Sequence, residues 1–165
     1  MHSVKPFPAE TVIAVVANLK KPKFLGNFDL YTLAVTQKRA IFAHTTEDMI
    51  NQSLKDVQKV PKSKGGSFFD KWGAEIDTNF FFTEKYKSME PDEILLEQPD
   101  NFEIEHYGIK KIRVYEKEDN RVDNSIMSRY WYEVEFETRL GTLKYIVDID
   151  PRPELRYGFG LKVED

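Results

Sequence analysis

FDLYTLAVTQKRAIFAH, residues 28–44, consists of two apolar runs parted by the polar triplet Thr36-Gln37-Lys38, the second run beginning at Arg39. In the first run Tyr31, Leu33 and Val35 fall on one side of an extended chain and Leu30, Thr32 and Ala34 on the other. A period of two marks a β-strand, because successive side chains of a strand point to opposite faces. A connection this short suits a hairpin, so Leu30–Thr36 and Arg39–His44 are expected to pair antiparallel. The turn has no Asn-Gly, which leaves its type open.

Upstream, Thr11–Leu19 is rich in Val and Ile and reads as a first strand, followed by KKPKFLGN (20–27), a basic loop broken by Pro22 and Gly26. Downstream the period changes. Thr45 or Thr46 can cap a helix whose first turn carries Glu47 and Asp48, with Met49, Ile50, Leu54, Val57 and Val60 at helical spacing. A second helix is expected after Ser67, where Asp70 completes a variant capping box and Phe69, Trp72, Ile76 and Phe80 share a face. Pro91–Leu96 reads as a short third helical turn.

From Asn101 the pattern is β again. Phe102 and Ile104 alternate, Gly108 marks a bend, and Ile112 and Val114 share one face of the next strand. After the polar stretch 116–125, Tyr130, Tyr132, Val134 and Phe136 oppose Glu133, Glu135 and Glu137, a strand with one wet face. Leu143, Tyr145, Val147 and Ile149 return as its partner, and Pro151 and Pro153 stop the sheet. Residues 151–165 show no period and are expected to be an arm or a disordered tail. The whole is expected to be one α+β domain over residues 1–165, with a helical segment at about 45–97 between the third and fourth strands.

Composition narrows the function. A net charge of −4 argues against general nucleic-acid binding, which needs a local excess of Lys and Arg. The absence of cysteine removes thiolate nucleophiles and zinc–thiolate sites, and fits a reducing compartment. The apolar run Val12–Leu19 is short of the ~20 residues that a membrane span needs, and no cleavage site follows it. A cytoplasmic protein without cofactor is the expectation.

LYTLAVTQKRAIFA resembles the second and third strands of pleckstrin-homology-like and GRAM-like domains of the prokaryotic type, with Thr36, Lys38, Arg39, Ile41 and Phe42 at the matching positions. FEIEHYGIKKIRVYE is similar to a later part of such domains through Ile104, Ile109, Ile112 and Val114. The resemblance covers about a third of the chain. It implies a bent, seven-stranded antiparallel barrel or sandwich plugged by a C-terminal helix. Prolines and glycines stand where that helix belongs, so the face of Phe69, Trp72, Ile76 and Phe80 is the expected plug.

In lipid-binding members of that family the first loop holds anionic head groups. The resemblance therefore makes Lys20, Lys21 and Lys23, with Arg39, candidates for an anion or membrane site, and Phe24 and Leu25 candidates for an interface. Lysines on such a loop equally serve to protect a sheet edge. Asp148 and Asp150 stand two apart on an expected strand and, with Glu133 or Glu135, form a weak candidate for Mg²⁺. His44 and His106 lie in no metal-ligand spacing and are expected to be structural, His44 near Asp48. No phosphate-binding loop and no nucleophile elbow is present. The expectation is a noncatalytic domain that contacts a protein partner or its own copy, with peripheral membrane contact second. The alternative is a barrel that binds a small molecule or lipid, with metal-dependent hydrolysis at Asp148 and Asp150.

Overall fold

A computed structural model describes residues 9–57, 79–119 and 129–164. The strands are β1 (Val12–Pro22), β2 (Phe28–Thr36), β3 (Arg39–Thr45), β4 (Phe102–Glu105), β5 (Ile109–Asp119), β6 (Arg129–Thr138), β7 (Gly141–Val147) and β8 (Val163–Glu164). The helices among the described residues are α1 (Glu47–Val57), α2 (79–88), α3 (Pro91–Leu96) and α4 (Arg152–Phe159). The fold is α+β, with all strands of the described residues in one sheet of order β4-β3-β2-β1-β7-β6-β5-β8. Every neighbouring pair is antiparallel except β5 with β8. Among the described residues β4 and β8 are the two edges, and the sheet does not close into a barrel.

The hairpin of residues 28–44 is present, with Leu30 opposite Thr45 and Val35 opposite Ala40. Thr36 closes its turn: the backbone N–H groups of Lys38 and Arg39 both donate to the Thr36 hydroxyl. Tyr31, Leu33, Val35, Ala40 and Phe42 enter the main core, while Ala34, Ile41 and Ala43 face the other way. A first register shift between Val12 and Ala14 leaves Val12 against the cluster of Ala34, Ile41 and Ala43. β1 then follows the same alternation until Asn18, which sits at φ 60°, inside a second shift between Val16 and Leu19. That extra residue resets the parity, so Leu19 joins Ala14 and Val16 in the main core and polar Asn18 stays out of it.

The sheet is strongly bent. β3 and β6 are four strand positions apart, ~19 Å in a flat sheet. Yet the Phe42 ring lies 5.4 Å from that of Phe136 and 5.6 Å from that of Tyr145. Leu155 and Phe159 of α4 fill the remaining space inside the curve. On the outer face Phe82 and Tyr86 of α2 and Ile94 of α3 cover Val15, Ala17, Ala34, Ile41 and Ala43.

Several expectations change. The C-terminal segment is neither an arm nor a disordered tail but helix α4 followed by β8. Its breakers are helix punctuation: Pro151 is the N-cap, Pro153 lies in the first turn, and Gly160 ends the helix at φ 62°. The interior is filled from α4; of the expected aromatic plug face only Phe80 is described, and it is 67% exposed. Ser67, Phe69, Asp70, Trp72 and Ile76 lie outside the described residues, as does the polar stretch from residue 120 to 125. Residues 116–119, expected in that loop, continue β5 opposite β6. Among the described residues no helix is long and apolar enough to cross a membrane.

Candidate functional site

β1 pairs with β2 from Val12 to Pro22, but its other edge meets β7 only at Lys20 opposite Ile146. The two strands part because β7 ends at Val147 and the chain bends away into α4. Asp150 fixes that exit. Its carboxylate accepts the Arg152 backbone N–H at 3.0 Å and the Arg152 guanidinium at 2.7–3.0 Å. These bonds to Arg152 outweigh partial burial and hold the Asp150 carboxyl below its usual range. Helix α4 packs chiefly against β1, and Gly158 lets it come close to β2, since a Cβ there would meet Val35 Cγ1 at 2.8 Å.

The result is a cleft of about 660 Å³ whose floor is the β1 edge from Ile13 to Ala17. One wall comes from α2 through Phe80, Thr83 and Lys87. The other comes from the β7–α4 exit through Ile149, Pro153, Glu154 and Tyr157. Ala14, Val15, Val16 and Ala17 are each no more than 6% exposed, so the floor is recessed. The mouth is apolar, with Phe80, Ile149 (55% exposed) and Tyr157 (74%) around it. A volume of this size lies within the ~300–1,000 Å³ of ordinary ligand sites.

The sequence-predicted residues do not form one site. Lys20 and Lys21 belong to β1 rather than to a loop. Lys20 binds Asp148 at 2.9 Å and Lys23 binds Asp29 at 2.7 Å. Phe24 and Leu25 do project together from the β1–β2 turn, 86% and 84% exposed, with Leu25 held at φ 65°. Arg39 stands at the opposite end of β2, ~20 Å from those lysines. It binds Glu10, Asp92 and Glu103, and Glu10 also accepts from the Thr36 hydroxyl. This is a structural knot that spends the charge of Arg39 on three carboxylates.

Asp148 and Asp150 lie beyond the end of β7 and do not converge with Glu133 or Glu135. Glu133 faces Ile146 across the ladder, and Glu135 binds Lys144 at 3.5 Å. Among the described residues no cluster of three potential metal ligands occurs. His44 pairs with Asp100 at 2.7 Å rather than with Asp48, and His106 Nε2 lies 2.6 Å from the Thr36 carbonyl oxygen. Both histidines tie strands to neighbouring segments.

Comparison of the chain with family models, with curated proteins and with solved structures gives no match. Asp150 and Phe80 stand out in the sequence, but no local pattern brings them to one cleft. The signal that could have found it is the spacing Leu155–Phe159 with Pro151 and Gly160 at its ends, which defines α4 and hence the second wall.

Proposed function

We propose that this chain is a noncatalytic binding domain of pleckstrin-homology-like architecture whose ligand is a protein. The observation that carries the proposal is the recessed cleft over a strand edge that is unpaired among the described residues, with an apolar mouth. Support for the architecture is the pair of meanders β1–β4 and β5–β7, joined through β1 and β7, with helix α4 after them, Leu155 and Phe159 pointing into the bend. On that reading α1 to α3 are an insertion after the third strand. Fold likeness does not fix function, so the cleft carries the functional claim. A photo-crosslinking residue at position 157, installed in the cells that make the protein, is expected to trap a protein adduct. Position 107, exposed but outside the cleft, is the control. Absence of an adduct specific to position 157 would overturn the proposal.

One observation favours a second reading, contact with an anionic membrane: Phe24 and Leu25 stand exposed on a fixed turn beside Lys21. The pairing of Lys20 and Lys23 with aspartates reduces the local positive charge, which places this reading second. Co-sedimentation with vesicles of neutral and of anionic lipid, at low and physiological salt, decides it. Lys20, Lys21 and Lys23 changed to Glu is the comparison protein. Membrane contact requires binding that is selective for anionic lipid, weakened by salt and lost in the comparison protein.

A further inference from the structure

We infer that the cleft accepts an extended segment of a partner protein as an added strand on β1, read from both sides by α2 and α4. The inference rests on the proposed protein-binding function and specifies the chemistry of its partner. Its basis is the floor. Among the described residues, β1 from Ile13 to Ala17 has a strand neighbour on one side only, so its other edge presents backbone N–H and C=O groups in the ladder direction. An extended peptide is the ligand that matches such a row, because its own backbone repeats with the same period.

The walls add the selectivity. Alternate side chains of a strand point to opposite faces, and the two faces of this slot differ. Odd-numbered β1 residues Val15 and Ala17 face the α2 layer, and even-numbered Ala14 and Val16 face the interior that α4 enters. A strand added here would place every second side chain against Phe80, Thr83 and Lys87. The intervening side chains would lie against Pro153, Glu154 and Tyr157. Neither Lys87 nor Glu154 has an ion-pair partner among the described residues. The segment that fits is apolar in both registers, with an acidic residue on the α2 side and a basic residue on the α4 side. The floor spans five residues, ~17 Å, so about five residues of partner are held.

Recession of the floor selects this occupant over others. A second folded copy would bring its own α2 and α4 against these walls before its β1 edge reached the floor, and a bilayer surface cannot enter a slot. A small apolar molecule would fill the volume but leave the backbone row unmatched.

The test begins with a random heptapeptide library displayed on phage and selected against the whole chain. Recovered peptides are synthesised and titrated by amide NMR. The expected result is slowed hydrogen exchange at the alternate amides of Ile13–Ala17 that face away from β2, and at least a tenfold loss of affinity when alternate peptide amides are N-methylated. Thr83→Trp, which fills the slot, should also weaken binding at least tenfold while leaving the thermal midpoint in place. Lys87→Glu should selectively weaken peptides that carry an acid in the α2 register, and is the second variant if Thr83→Trp perturbs folding. Peptides that bind without protecting β1, or tolerate N-methylation, would overturn strand addition. So would failure to recover any peptide, or a dimer in sedimentation that Thr83→Trp abolishes. In each of those cases, crosslinking at position 157 reports separately whether protein binding itself survives.

Discussion

The Tyr145 ring lies against those of Tyr31, Phe42 and Phe136, and its buried hydroxyl has no hydrogen-bond partner among the described residues. Burial, with Tyr31 nearby, pushes its ionisation up. A buried polar group left without a partner costs ~1–3 kcal/mol, so Tyr145→Phe is expected to be neutral or to stabilise by ~1 kcal/mol in urea unfolding. Glu10 is the opposite case. Its partial burial raises the pKa, but hydrogen bonds from Arg39 and Thr36 and the charge of Arg39 outweigh that and bring it below 4.5. A lowered folded value means the stabilisation is complete above about pH 4.5 and is lost as the pH falls through the lowered value. Stability measured in urea from pH 7 to pH 3 should therefore decline below that point, and less steeply in Glu10→Gln. The sequence placed Arg39 beside its turn. It could not show that Glu10, Asp92 and Glu103, from three separate segments, converge on it, because no local pattern encodes such a meeting.

Strands with strict alternation were legible because one buried face imposes a period of two: Tyr31, Leu33, Val35 and Tyr130 to Phe136 keep their expected pairing. Helix α4 was not, because two prolines and two glycines in ten residues outweigh a single i, i+4 pair, Leu155 and Phe159. Three of those four residues bound the helix, and the fourth, Gly158, makes its seat. Gly158→Ala is expected to cost ~1–3 kcal/mol, because the new methyl group would have to displace Val35 in a packed interior. Thermal unfolding measures it, and Val35→Ala in the same chain should recover part of the loss. A Gly158→Ala variant as stable as the parent would mean α4 is not seated as described. Lys20 and Lys21 teach the same lesson for strands. Register with Leu30 and Asp29 carries β1 past the apolar run that seemed to define it.

Across the whole molecule, the bend of the sheet depends on side chains from both of its halves. Phe42 stacks on Phe102 at 4.8 Å and on Tyr145 at 5.6 Å, and meets Phe136 edge-on. Phe42→Ala is expected to cost ~3–5 kcal/mol and to lower the unfolding midpoint of both halves together, read by NMR of Ile41 and Val134. Separate midpoints would mean that the halves fold independently. No sequence pattern announced this meeting of β3 with β6 and β7, since curvature arises from packing between residues some hundred positions apart. The seam between β1 and β7 carries a mechanical consequence. Force across β5 and β6 is shared by a ladder running from Ile109 to Asp119, whereas force across the seam falls on Lys20 opposite Ile146 and on the anchors of α4. The molecule is built as a spring clip rather than a ring, and the clip opens where its slot already lies.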